Sequence, residues 1–231
     1  MFLKYINLAL ETSNNLSDNG LICEILYYYY KDKDEKKSKL YYDNIESTLY
    51  NKKVFEYLLL ALKEKDVFKF IYATIGYCYS KGIGCEKDVN KAFQYYKLAC
   101  EQKDVNATSY NNLANYYQHG IGFEKDEKKA FEYYKLACEQ KDVNATIYSN
   151  FASYYQYGIG CKKDEKKAFE YYKLASEQKD VNSIIYSNLT NCYYKRRGCE
   201  KDQKKAFEYY KLASEQKDVN SMIYNNLEYC Y

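Results

Sequence analysis

The sequence predicts an all-α solenoid of helix-turn-helix repeats, each 38 residues long, and three observations lead there. The segment KAFEYYKLA stands at 129–137, 167–175 and 205–213, with KAFQYYKLA one step earlier at 91–99. Self-similarity at a fixed period of about 20 to 50 residues marks units that cannot bury an apolar face alone and stack on copies of themselves. Within each unit the apolar residues recur at helical spacing, and a glycine-containing turn separates two such stretches. Nothing in between alternates like a strand followed by a hairpin turn.

Taken in order, residues 1–66 read as divergent N-terminal helical repeats or a cap. Residues 67–231 read as the array, about four repeats ending in a lone first helix. No linker divides the chain, so one continuous solenoid domain is expected. The opening MFLKYINLALETSNN lacks a cationic leader followed by an apolar run and reads as an amphipathic helix. KKVFEYLLLALKEKD at 52–66 lies one period before the array, with Val54 and Phe55 in the columns of Ala92 and Phe93.

The repeat from Val105 to Asp142 shows the design of the unit. Tyr110, Leu113, Ala114 and Tyr117 recur at i, i+3, i+4 and i+7, one face of a first helix. Gly120 and Gly122 end it, because glycine accepts the left-handed conformation of a helix C-cap. Asp126 is the expected N-cap of the second helix, with Glu127 at its positive dipole end. Ala130, Phe131, Tyr134, Ala137 and Cys138 form the apolar side of that helix. Lys128, Glu132, Lys135 and Glu139 form its wet side. The same frame aligns the turns 82–84, 120–122 and 158–160, all Gly-Ile-Gly, with Arg196-Arg197-Gly198. A looser or reshaped cap is expected at this fourth turn.

Composition excludes several function classes. The chain is 47% hydrophobic, yet no apolar run reaches the ~18 residues of a membrane-spanning helix. A soluble, cytoplasmic protein is expected. Its 35 basic and 32 acidic residues alternate finely, so neither nucleic acid nor an acidic membrane is an expected partner. Tyrosine occurs 33 times, so it must supply much of the core, and buried hydroxyls need partners.

The string LANYYQHGIGFEKDEKKAFEYYKLA resembles the Sel-one-like repeat (SLR) family, relatives of tetratricopeptide repeats. Leu113, Ala114, Tyr117, Gly120, Gly122, Asp126, Lys129, Ala130, Tyr133, Tyr134 and Ala137 carry the resemblance. It is clear over 67–231 and weaker over 34–66. Thr190 and Glu228 depart from the family's small residue on the first helix, which puts close helix contact there in question. The resemblance implies a right-handed α/α superhelix with first helices lining a concave face. It also implies a non-enzymatic adaptor for protein or peptide partners. The alternatives are a secreted or surface-associated bacterial effector engaging host proteins and, at a remove, a serine hydrolase of the penicillin-interacting type.

Chemistry is sparse. Eight of the nine cysteines lie in shared columns: Cys78, Cys192 and Cys230 on first helices, Cys85, Cys161 and Cys199 in turns, Cys100 and Cys138 closing second helices. Ser176 and Ser214 break any regular pairing, and there is no CxxC, so reduced structural thiols without a metal are expected. No cofactor is implied. His119, the sole histidine, precedes the Gly120 cap. Ser176-Glu177-Gln178-Lys179 and its copy at Ser214 match the S-x-x-K string of penicillin-interacting hydrolases, but the companion motifs are missing.

A second stripe runs along the first helices beside the apolar one: Asn112, Asn115, Tyr116 and His119, then Asn150, Ser153, Tyr154 and Tyr157, then Asn188, Asn191, Cys192 and Lys195. Amides suit an extended peptide and tyrosines give contact area, so this stripe is the expected concave binding face. The competing reading has Asn112 and its copies bonding between repeats. VNSMIYNNLEYCY at 219–231 reads as a further first helix rich in apolar residues. End-to-end self-association through this C-terminal edge is expected of it.

Overall fold

The structure is a computed structural model that describes residues 52, 55, 56, 58–60, 62, 70–102, 105–122 and 124–216. The expectations for residues 1–51, for Glu228 and for the helix at 219–231 lie outside the described residues. The chain falls into two compact units, Met1–Val105 with Ile121–Phe123 and Asn106–Gly120 with Glu124–Tyr231. In the first unit Phe55 and Leu58 are helical and buried, and two helices follow, α1 (Phe70–Lys81) and α2 (Val89–Cys100). The second unit holds three helical hairpins: α3 (Ala107–His119) with α4 (Glu127–Cys138), α5 (Ala145–Tyr157) with α6 (Glu165–Ser176), and α7 (Ser183–Lys195) with α8 (Gln203–Ser214). There is no strand among the described residues.

Each helix begins and ends for a local reason. Second helices start where Asp88, Asp126, Asp164 and Asp202 accept the amide three residues on, from Lys91, Lys129, Lys167 and Lys205. Those four lysine ammoniums also lie 5.1 to 5.4 Å from the ring centres of Tyr79, Tyr117, Tyr155 and Tyr193. In the second unit those rings stack on Tyr133, Tyr171 and Tyr209 of the paired helix, centroids 5.6 to 5.9 Å apart. One lysine therefore ties the cap of a second helix to the aromatic seam of its hairpin. First helices start at Asn106, Asn144 and Asn182, whose side chains accept from the amides of Ser109, Ile147 and Ile185. Asp142 and Asp180 reach back about 35 residues in sequence to accept the Ala107 and Ala145 amides at 3.1 Å, closing each repeat on its own beginning.

Stacking within the second unit is aromatic. Phe131 of α4 meets Phe151 and Tyr155 of α5, centroids 5.3 and 5.4 Å away, and Phe169 of α6 meets Tyr193 of α7 edge-on. The turns come closer still: a Cβ on Gly160 would overlap the Glu127 carbonyl, and one on Gly198 the Glu165 carbonyl. Backbone therefore rests on backbone from one hairpin to the next. Thr190 does not disturb this packing; it is fully buried and its hydroxyl donates to the Tyr186 carbonyl at 3.0 Å, with the Ala206 carbonyl of α8 at 3.4 Å.

The fourth turn keeps the geometry of the others. Arg196 takes the left-handed cap conformation, φ 56° and ψ 43°, beside φ 62° at Gly120 and φ 68° at Gly158. The expected looser cap is not found, since tertiary packing holds an arginine in a conformation that costs about 1 kcal/mol relative to glycine. Arg196→Gly should stabilise the protein by about 1 kcal/mol in chemical denaturation. Gly160→Ala should destabilise it by about 2 kcal/mol or more, because backbone and not a flexible side chain occupies the space.

Candidate functional site

The second stripe of the first helices splits into four columns with different environments. Asn112, Asn150 and Asn188 are half-buried. The Asn150 amide donates to the Asn111 side-chain carbonyl of the preceding hairpin at 3.1 Å, so this column contributes to joining repeats. Asn115, Ser153 and Asn191 are also half-buried. The Tyr134 hydroxyl reaches the side-chain carbonyls of Asn115 and Gln118, each at 2.8 Å, its one hydrogen divided between them. In the next hairpin Tyr172 donates to Gln156 at 2.8 Å and lies 3.0 Å from the Ser153 hydroxyl. Gln118 and Gln156 escaped the sequence reading, although buried tyrosines on the second helices called for acceptors one turn from a cap.

Tyr116, Tyr154 and Cys192 form the third column, and they are core. This corrects the expectation that they line an open groove. Helical periodicity marks one buried stripe, but a first helix packs against its own second helix and against the adjacent hairpin. Two stripes are therefore covered. Tyr154 is 2% exposed, its ring 4.9 Å from that of Tyr134, and its hydroxyl finds no hydrogen-bond partner. The fourth column, His119, Tyr157 and Lys195, is exposed, Tyr157 most clearly at 66%.

Electrostatics damp acid–base and nucleophilic chemistry here. Burial pushes the Tyr172 phenol up to about 12 and raises Tyr134 and Tyr154 further. Burial likewise lifts the Cys192, Cys100 and Cys138 thiols to about 12, and raises Cys85, Cys161 and Cys199 above the ordinary thiol value. A reactive cysteine needs the opposite shift. The Ser176 and Ser214 hydroxyls donate to carbonyls of their own helices, Lys173 at 2.8 Å and Lys211 at 2.7 Å. Among the described residues no group of three or more His, Cys, Asp or Glu could hold a metal ion.

Two phenylalanine substitutions separate the roles of the buried hydroxyls. Tyr172→Phe strands Gln156 and should cost about 1 to 2 kcal/mol. Tyr154→Phe removes a hydroxyl without a partner and should be neutral or stabilising by about 1 kcal/mol. Denaturation midpoints of both variants against the parent measure the difference.

The Sel1 repeat model matches residues 72–104, 107–142, 150–180 and 187–218. A Sel1 repeat protein from Oxalobacter formigenes superposes with a TM-score of 0.65 at 24% identity, over 91% of this chain and 79% of its own. A protective antigen present in uropathogenic Escherichia coli strains, displaying an SLR fold, superposes with a TM-score of 0.62 at 18% identity, over 98% of this chain and 51% of its own. No curated protein is significantly similar. The four matched repeats cover more than half of the sequence and coincide with the hairpins described above, so the chain belongs to the Sel1 repeat family.

Proposed function

We propose that this chain is a non-catalytic scaffold that binds a peptide or partner helix across the C-terminal ends of its first helices. Sel1 repeat proteins generally mediate protein–protein interaction. The observation that supports the site is the contrast within the stripe. Asn115, Ser153 and Asn150 are committed to hydrogen bonds inside the fold, Tyr116 and Tyr154 are packed away, and His119, Tyr157 and Lys195 face solvent. Tyr157 presents a large amphipathic surface on a helix end whose backbone is already fixed. Little entropy is lost when it is covered. A cytoplasmic setting belongs to the same proposal, because Cys78 and Cys192 fill core space as small apolar side chains.

Capture from an extract of the source organism on immobilised protein tests the site. Replacing His119 and Tyr157 together by alanine should lower the yield of bound protein about tenfold, as loss of a tyrosine anchor does. Melting temperature should stay unchanged, because both side chains are exposed. Undiminished capture by the double variant refutes the site.

A further inference from the structure

The fourth turn differs from its counterparts in what it presents to solvent. Where three turns read Gly-Ile-Gly, this one reads Arg196-Arg197-Gly198 directly after Lys195, and these are the only two arginines in the chain. Among the described residues Arg196 is the one non-glycine with positive φ. Its conformation brings the fold nothing that glycine would not, so what the residue adds is an exposed charge. Lys195 beside it is exposed, and the Lys201 ammonium lies 5.8 Å from the centre of the Tyr194 ring, itself 44% exposed. Tyr157 stands in the hairpin before. It holds on α5 the position that Lys195 holds on α7, and the two helices are in contact. Three acidic residues adjoin the turn: Glu200 is exposed, Asp202 is held in the α8 cap by the Lys205 amide and ammonium, and Glu165, whose backbone carbonyl rests on Gly198, is paired with Lys163 at 2.7 Å.

We propose that Lys195, Arg196, Arg197 and Lys201, flanked by Tyr157 and Tyr194, dock an acidic peptide segment of a partner protein. Planar guanidinium groups take carboxylates in paired, charge-assisted hydrogen bonds, and the tyrosines cover the apolar stems between the acidic side chains. The mixed charge of the other turns offers no comparable site. The proposal rests on the reading of the first-helix ends as a binding surface and names the chemistry of what binds there.

Fluorescence anisotropy with a labelled glutamate-rich peptide at low ionic strength provides the test, with a single-stranded RNA oligonucleotide of similar length and charge as the competing probe. The variant Arg196→Gly with Arg197→Ile reproduces the Gly-Ile of the neighbouring turns and should fold at least as stably. The parent should bind the peptide in preference to RNA, and the variant should bind it about tenfold or more weakly. No binding by the parent, equal affinity in both proteins, or preference for RNA overturns the proposal. Should it fall while capture still depends on His119 and Tyr157, the partner's chemistry is wrong and the binding surface stands.

Discussion

Backbone contact between successive hairpins is the constraint on which the rest of the second unit depends. The last glycine of a turn lies against the first carbonyl of the second helix in the preceding hairpin, Gly160 on Glu127 and Gly198 on Glu165. That contact sets how far one hairpin is displaced from the next, and so decides which rings meet. Phe131 and Phe169 find their aromatic partners one repeat along because the displacement recurs. The two glycines of a turn thus have separate duties. The first needs a positive φ, and Arg196 shows that another residue meets the need at modest cost. The second needs positive φ and no side chain, and it persists at Gly198 where both of its predecessors have changed.

Polar satisfaction is the second organising demand. A core rich in tyrosine carries hydroxyls into low-dielectric surroundings, where each unpaired one is costly. The fold meets this by pointing Asn115, Gln118, Ser153 and Gln156 of the first helices at Tyr134 and Tyr172 of the second. The near-identity of the second helices follows from their near-identical surroundings. The first helices vary where they reach solvent.

Much of the fold was legible from the residues. The 38-residue step, the glycine turns and the Asp126 cap each have a local physical cause, and local causes can be read from one sequence. The asparagine caps at Asn106, Asn144 and Asn182 were equally local but were passed over, hidden among many asparagines. The stripe was only half legible. Its polar columns and exposed ends lie on one helix face, as periodicity requires. The burial of Tyr116 and Tyr154 depends on a neighbouring hairpin, and helical spacing says nothing about how many neighbours a helix has. Arg196 misled for a related reason: preference predicts a glycine there, but packing decides the conformation.

The division of labour within the turn also bears on how such an array diversifies. When a gene duplicates a repeat, every copy inherits the same spacing, and drift that altered spacing would be eliminated with the fold. The first position of the turn is freer, because it needs a positive φ and, as the exposed Arg196 shows, its side chain can extend into solvent. A copy can therefore acquire its own surface identity in one or two codon changes while its neighbours keep theirs. In this chain the fourth turn presents Arg196 and Arg197 where the other three carry Gly-Ile, on the same backbone path.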